Sequence, residues 1–142
     1  MTISLLYHEH LTEDIQKQIE HLYSQLNATA KQRNLQEILG SSNNVFMAVC
    51  YSDEQLCGMA LMATYKVISG HRGMIEDVVV DNSHRGQGIG RKLMLKLLEV
   101  SKQQNLDEVL LFSGHHREVA ISLYKSLGFN LRNSGVYAMR LT

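Results

Sequence analysis

A glycine-rich turn lies between an apolar run and an amphipathic segment in the stretch VVVDNSHRGQGIGRKLMLKLL, residues 78–98. Glycines accept positive φ angles and let successive backbone N–H groups converge on an anion. The helix predicted from about Gly88 onward would direct its unpaired amides and its dipole to the same point. Arg85 and Arg91 add guanidinium forks that suit a diphosphate. The turn therefore predicts a phosphate cradle, formed by Arg85, Gly86, Gln87, Gly88, Ile89, Gly90 and Arg91.

The spacing of these glycines differs from that of two common nucleotide loops. The glycines run GxGxG rather than GxGxxG, and no acidic residue ends a following parallel strand to hold a ribose. The Gly-Lys-Ser/Thr ending of a Walker A loop is missing. The turn alone does not exclude the alternative of a surface loop in which the glycines only allow the backbone to turn.

Two carboxylates interrupt the apolar strand predicted at IEDVVV, residues 75–80. Glu76 and Asp77 would need a charged partner or a chemical purpose there. Adjacent strand residues face opposite sides unless a bulge intervenes, so one of the two is expected to face a substrate cleft. The alternative is an ion pair with Arg72 or His71.

Hydrophobic periodicity and turn residues predict the element order β, α, α, three β, α, β, α, β, β. Thr12 is the predicted N-cap of the first helix, and Gly128 is the expected C′ residue of the last. We therefore expect an α/β (α+β) fold, a mixed central sheet of six to seven strands flanked by about four helices. The last two strands are predicted near residues 129–131 and 136–141.

Length and composition favour one globular domain over residues 1–142, because the chain is 44% hydrophobic and has the usual size of a domain. Its net charge of zero disfavours nucleic acid and anionic membranes as partners. No signal peptide or membrane span is recognisable, so a cytoplasmic protein is expected. Cys50 and Cys57 are predicted to be core thiols, and the histidine spacing predicts no metal site.

Two motifs in this order resemble the GNAT superfamily of N-acetyltransferases. Arg85, Gly88 and Gly90 match its acetyl-CoA-binding pattern of Arg or Gln, two residues, Gly, one residue, and Gly or Ala. The segment LYKSLGF, residues 123–129, resembles its second recurrent segment. The resemblance implies the GNAT fold and acetyl-CoA as co-substrate without a metal. It also implies that a splayed strand end holds the pantetheine and the acetyl carbonyl through the backbone of Val78, Val79 and Val80.

The resemblance also implies roles for individual side chains. Tyr124 matches the tyrosine that protonates the coenzyme sulfur as general acid, although a core aromatic is the alternative. The IEDVVV strand resembles that of glucosamine-6-phosphate N-acetyltransferases, which favours Glu76 as general base, directly or through water, with Asp77 as second candidate. Arg117 departs from the family pattern, since many members carry Asn there. Because cations at a helix N-terminus oppose the dipole, His115, His116 and Arg117 are expected to contact an anionic part of the coenzyme or acceptor; a solvated surface cluster is the alternative.

The implied function is transfer of acetyl from acetyl-CoA to a primary amine of a small molecule by direct attack in a ternary complex. Amino sugars, aminoalkylphosphonates and polyamines are the acceptor classes considered, and the acceptor site is expected around residues 26–39, 65–72 and 133–137. The alternatives are a protein lysine or N-terminal acetyltransferase and a non-catalytic coenzyme-binding module. Residues 136–141 would also offer an edge strand through which two copies could form a homodimer.

Overall fold

The computed structural model describes all 142 residues. By its internal contacts the chain divides into two compact units, Met1–Phe112 and Ser113–Thr142, which are described separately below. The prediction of one domain over residues 1–142 therefore stays a prediction. None of the helices is long and apolar enough to cross a membrane.

The first unit contains one five-stranded sheet and three α-helices. The elements are β1 (Thr2–Leu6), α1 (Glu13–Leu26), α2 (Leu35–Ile38), β2 (Val45–Ser52), β3 (Gln55–Val67), β4 (Gly70–Val80), α3 (Ile89–Gln103) and β5 (Glu108–Leu111). The sheet order follows the chain, β1-β2-β3-β4-β5, with antiparallel neighbours except for the parallel pair of β4 and β5. The predicted hairpin of β2 and β3 and the mixed sheet are confirmed.

Helix α1 covers one face of the sheet. Its first turn is fixed by Thr12, whose hydroxyl accepts a hydrogen bond from the backbone N–H of Ile15 at 3.1 Å, as the capping rule predicts. Ile19 and Leu22 then pack against apolar side chains of β2, β3 and β4, including Met47, Val49, Met59 and Val79. This contact sets the position of α1 and of the residues that follow it.

Helix α3 covers the opposite face and is held close to β3 by Gly58. A Cβ at this position would lie 2.9 Å from Ile89 Cγ2 and 3.1 Å from Leu93 Cδ1, so only glycine lets the helix approach this closely. The residues predicted to face the sheet are buried, namely Ile89, Leu93, Leu97 and Val100. Close packing at its first turn fixes the N-terminus of α3 relative to the end of β4.

The two cysteines are buried and unbonded to each other, as predicted for core thiols. Cys57 Sγ lies 3.5 Å from the carbonyl oxygen of Cys50, to which the thiol donates. Burial, with the neighbouring Cys50 as a smaller cause, raises the pKa of the Cys57 thiol to about 12. Cys57 is therefore a packing residue rather than a nucleophile at neutral pH.

The second unit contains α4 (Glu118–Ser126) and an irregular tail. The helix ends as predicted, because Gly128 adopts φ of +100° and the N–H of Phe129 donates to the carbonyl of Tyr124 at 3.0 Å. The predicted strands near residues 129–131 and 136–141 are wrong, since neither segment pairs with another strand. The sheet therefore has five strands instead of six to seven.

The failed strand prediction has a physical reason. A strand forms where its backbone groups pair with a neighbour, and apolar, β-prone residues alone do not supply that pairing. Here the side chains of Tyr137 and Met139 are 97% and 84% exposed. A homodimer formed through this edge stays a prediction, without the strand on which it was based.

Candidate functional site

The glycine turn between β4 and α3 has the backbone geometry of an anion-binding loop. Gly86 and Gly88 have φ angles of +79° and +77°, and Gly88 is the N-cap of α3. A Cβ at either position would meet no atom within 4 Å, so the backbone conformation, and not packing, requires glycine there. The first N–H groups of α3 have no acceptor inside the helix. They form, with the turn, an exposed concave set of donors at the positive end of the helix dipole.

A hydrogen-bond network centred on Asp81 anchors the entrance to this turn. Its carboxylate accepts from Gln25 Nε2 at 2.8 Å, from the Ser83 backbone N–H at 3.1 Å, from the Ser83 hydroxyl, and from His84 Nδ1 at 2.9 Å. Gln25 Oε1 in turn accepts from the Asn82 N–H at 2.8 Å. The last turn of α1 is thereby tied to the start of the cradle loop.

The same network determines the charge state of Asp81. Hydrogen bonds from the side chains of Ser83, Gln25 and His84 stabilise the carboxylate and hold the pKa of Asp81 well below its ordinary value. The Asp81 N–H also donates to the Cys57 carbonyl at 2.9 Å. Asp81 is thus an ionised structural anchor for the cradle.

The two arginines of the cradle lie at its ends. Arg85 follows the turn Asn82–His84, and its Nε lies 3.4 Å from the carbonyl oxygen of Val80, the last residue of β4. Arg91 lies in the first turn of α3 and is exposed, as are Gln87 and the two positive-φ glycines. The predicted cradle residues therefore come together around one exposed turn, with Ile89 buried beneath it as the anchor to the sheet.

The end of β4 parts from β5 beside this turn. The parallel pairing stops at Ile75 opposite Leu111, whereas β4 continues for five residues, 76–80, paired with β3 alone. Backbone groups on that edge of Val78, Val79 and Val80 have no strand neighbour. This divergence matches the splayed strand that the resemblance implies.

A β-bulge reshapes β4 at the two acidic residues. Glu76 pairs with Leu61 and Val79 with Met59, so three steps along β4 correspond to two along β3. The extra residue breaks the alternation of faces. Asp77 adopts φ of +52°, a left-handed conformation that is uncommon for a non-glycine residue. Such strain is characteristic of functional sites, where the surrounding fold holds it in place.

A cavity of about 230 Å³ opens on the α1 face of the sheet beside the bulge. Its apolar wall comes from α1, α2 and the central strands, and its polar rim from the segment between α1 and α2 and from β4. The rim residues are Tyr23, Lys31, Gln32, Arg33 and Asp77; the apolar wall includes Ile19, Leu35, Met47, Met59 and Leu61. Asp77 thus lines this cavity, whereas Glu76 is placed on the same face by its register with Leu61 without lining it.

The two carboxylates have no ion-pair partner. Arg72, the expected partner, instead places its Nε 2.9 Å from Glu108 Oε1 on β5, so the predicted alternative of an ion pair with Arg72 is not formed. Burial raises the pKa of Asp77. Burial, followed by the negative charge of Asp77, raises the pKa of Glu76. Both groups are therefore more basic than ordinary carboxylates, which suits proton acceptance.

In the second unit, Tyr124 is half-buried on α4 and Phe129 packs edge-on against it, with ring centroids 6.2 Å apart. Burial raises the pKa of the Tyr124 hydroxyl, and the positive charge of Arg117 opposes that effect. The phenol is therefore protonated at neutral pH and able to donate a proton. Arg117 is the exposed N-cap residue of α4, and His115 and His116 precede it in an exposed turn.

Several residues that shape the site were not individually predicted. Residues 26–39 were expected to contribute to an acceptor site, but Lys31 and Arg33 carry no recognisable motif. Residues 65–72, also expected there, do not line the cavity, and residues 133–137 belong to the second unit. The anchor Asp81 had a weak signal, since Asp two residues before Ser is a common turn start, while its partner Gln25 had none.

Comparison with known proteins agrees with this geometry. The sequence matches the Acetyltransferase (GNAT) family over residues 8–129, a stretch that includes parts of both units. It is 42% identical over 72 residues to a glucosamine 6-phosphate N-acetyltransferase of Trypanosoma brucei brucei, covering 49% of this chain and 47% of that protein. It is 35% identical over 83 residues to N-acetyltransferase 8B of Homo sapiens, covering 57% of this chain and 37% of that protein. The matches thus span less than half the length of these relatives.

Solved structures show the same fold at low sequence identity. An aminoglycoside acetyltransferase from an uncultured soil metagenomic sample superposes with a TM-score of 0.84 at 20% identity, covering 99% of this chain and 95% of that one. The glucosamine-6-phosphate N-acetyltransferase of Arabidopsis thaliana superposes with a TM-score of 0.76 at 21% identity, covering 98% and 99%. The family match extends over most of the chain and includes the cradle, the bulged strand and α4. The chain therefore belongs to the GNAT family of acetyltransferases.

Proposed function

We propose that this chain transfers an acetyl group from acetyl-CoA to the primary amine of a small molecule. The proposal is based on one observation: the phosphate cradle and the carboxylate that lines the cavity lie close together along β4. The end of β4 leads into a backbone cradle for phosphate, and the bulge three residues earlier places a carboxylate in the wall of a cavity. Family membership makes acetyl transfer the reaction that uses both.

The chain's residues fit acetyl-CoA on structural grounds. The exposed N–H groups at Gly86, Gly88 and the first turn of α3 suit the diphosphate, and Arg85 and Arg91 add positive charge. The unpaired edge of Val78, Val79 and Val80 suits the amide groups of the pantetheine, which can add hydrogen bonds as a further strand would. When bound, acetyl-CoA supplies an activated acetyl thioester.

The amine must lose a proton before or during attack, and the β4 carboxylates are the groups proposed to receive it. Asp77 lines the cavity and has a raised pKa, so it can take the proton of an ammonium group directly. Glu76, favoured from the sequence, shares the face and would act through water. We assign the direct role to Asp77 because it, and not Glu76, lines the cavity.

The departing sulfur needs a proton, and Tyr124 is proposed to donate it. This assignment is supported by the match of LYKSLGF to the family segment and by a phenol that burial keeps protonated. Starting from the ammonium form, the nitrogen gains the acetyl carbon and loses two protons while the carbon–sulfur bond breaks. One proton passes through Asp77 to water, and the second replaces the proton that Tyr124 gives to the departing sulfur. Arg117 is proposed to add positive charge toward the coenzyme or acceptor.

The function is tested by following thiol release from acetyl-CoA with a panel of small amines, with the acetylated product identified by mass spectrometry. We expect amine-dependent release and an N-acetyl product. Peptides with a free lysine serve as the comparison set for a protein-directed enzyme. Acetyl-CoA binding without release for any amine would instead support a non-catalytic coenzyme-binding module.

A further inference from the structure

The rim of the cavity beside Asp77 carries opposite charges from different parts of the fold. Lys31 and Arg33 come from the segment between α1 and α2, and Asp77 comes from the bulge of β4. We infer that the cavity selects a primary amine that also carries an anionic group, a phosphate or a carboxylate, and rejects polyamines. The inference rests on the proposed function, since it concerns the acceptor end of the same site.

The two cations are available to a ligand. Some basic side chains of the first unit form ion pairs within the chain, as in the pairs Lys17–Glu13, Arg72–Glu108 and Lys96–Glu99. Lys31 and Arg33 form no ion pair of this kind, although both line a cavity. An anionic group entering the cavity would be their first charged partner, and Arg33 can bind it with two parallel hydrogen bonds.

The segment that carries these cations is held by its own hydrogen bonds. Gln32, between them, donates from Nε2 to the backbone carbonyl of Glu20 on α1 at 3.0 Å. Asn27 Oδ1 accepts from the N–H groups of Thr29 and Ala30, both at 3.2 Å, and Asn34 caps α2 through the Gln36 N–H at 2.8 Å. The backbone that carries the two exposed cations is therefore held in place before a ligand arrives, which lowers the entropic cost of binding.

The size and charge of the cavity define the ligand class. Its volume of about 230 Å³ is smaller than that of common drug-sized pockets, so a small molecule fits. The charged groups lining it are Lys31, Arg33 and Asp77, with Tyr23 as the other titratable side chain. An ammonium at Asp77 and an anion at the two cations satisfy all three. A polyamine would instead bring a second ammonium toward Lys31 and Arg33, where like charges repel.

Matched pairs of amines test the inference, with kcat/KM measured by thiol release. The pairs are O-phosphoethanolamine and ethanolamine, glucosamine 6-phosphate and glucosamine, and β-alanine and putrescine. We expect the anionic member to be preferred by at least about tenfold, the effect of a hydrogen-bonded charge pair. Phosphorylated amines exceeding β-alanine would identify phosphate as the anion, and the reverse order would identify a carboxylate.

The double variant Lys31→Gln, Arg33→Gln should remove that preference, so that the ratio of kcat/KM between the anionic and the neutral member of each pair falls about tenfold. Lys17→Gln, which removes a cation outside the cavity, is the matched control and should keep it. Equal use of anionic, neutral and polycationic amines by the wild type would overturn the inference. So would an equal loss for every amine in the double variant.

The selectivity of the cavity can be tested by binding even when no amine is acetylated. In that case the proposed function fails, and the inference is decided by calorimetric titration of CoA-saturated protein with O-phosphoethanolamine and with β-alanine. Binding of either that is weakened in the double variant and retained in Lys17→Gln supports the inference. Absence of binding to both overturns it.

Discussion

The cradle and the cavity both adjoin β4, but backbone groups form the cradle and side chains form the cavity. The cradle is formed by backbone N–H groups, and its defining residues Gly86 and Gly88 contribute positive φ angles and backbone donors but no side chain. The cavity is formed by side chains from α1, α2, the segment between them and three strands. A backbone site is specified within a few consecutive residues, whereas a side-chain site depends on elements brought together by the whole unit.

The two regions are therefore expected to bind different kinds of ligand. A ligand common to all members of a family can be held by the backbone, because backbone groups are the same in every sequence. A ligand that varies between members needs side chains that can change without altering the fold. We therefore expect substitutions in the cavity to change turnover and acceptor choice, and substitutions in the cradle to change coenzyme affinity.

The largest effect is expected from Asp77→Asn. The amide keeps the shape of the side chain but cannot take a proton, so kcat should fall by about 10²–10⁴-fold, the range of general-base contributions. Glu76→Gln is the matched control, and its kcat should fall by a smaller factor. Acetyl-CoA affinity, measured by calorimetry, should be unchanged in both, and a large loss of affinity in Asp77→Asn would break the proposed separation of the two regions.

The next effect is expected from Tyr124→Phe. Removing the hydroxyl deletes the proposed proton donor and keeps the ring that packs against Phe129, so kcat should fall by about tenfold or more. Coenzyme affinity should stay near the wild-type value. Tyr137→Phe, at an exposed position of the tail, is the control. Unchanged turnover in Tyr124→Phe would make Tyr124 a packing residue.

A smaller effect, confined to the affinity for acetyl-CoA, is expected from Gly88→Ala. The new Cβ strains a position with φ of +77° and lies where the phosphates would approach, so acetyl-CoA affinity should fall by about tenfold. Calorimetry measures the change. Gly135→Ala, at a position with open space and no positive φ, should have no effect. A variant of Gly88 that loses turnover but keeps affinity would contradict the assignment of the cradle.

Gln25→Ala tests the hydrogen bonds that join the end of α1 to the entrance of the cradle. Gln25 bridges Asp81 and Asn82 from the end of α1, so its loss should loosen the cradle entrance and raise the KM for acetyl-CoA a few-fold, with kcat nearly unchanged. The free energy of unfolding should fall by about 1 kcal/mol, the usual net value of a lost hydrogen bond. Gln18→Ala, on the same helix, controls for a general effect on stability. An equal change in kcat and KM would count against a positioning role.

The smallest effect is expected in the pH dependence of stability. Because the pKa of Asp81 is lower in the folded state than its ordinary value of 3.8, its contribution is present above that value and is lost as the pH falls below it. Asp81→Asn should therefore lower the unfolding midpoint at pH 7 more than at pH 3, measured by urea denaturation. Asp53→Asn, in the exposed turn between β2 and β3, is the control. Equal destabilisation at both pH values would exclude the ionised anchor.

The same contrast explains which features could be predicted from the sequence. The Thr12 cap, the β2–β3 hairpin, the start of α3 at Gly88 and the helix end at Gly128 each depend on local residue chemistry, and all are confirmed. The strand predicted at residues 136–141 failed because its formation depends on a partner strand that local chemistry does not provide.

The details of the cavity were beyond local rules for the same reason. The bulge at Asp77 arises from the register between β3 and β4, and only the structure shows which side of the strand each carboxylate takes. Lys31 and Arg33 enter the site because α1 packs on the sheet and Gln32 holds the following segment. No motif in the sequence indicates these contacts.

The most direct test of the two-part site is a calorimetric titration of the purified protein with acetyl-CoA, with free CoA and ATP as controls. The cradle and the open edge of β4 together predict binding of both CoA forms and little response to ATP, which offers phosphates but no pantetheine for the strand edge. Absence of CoA binding by folded protein would contradict the coenzyme site and leave the glycine turn as architecture alone.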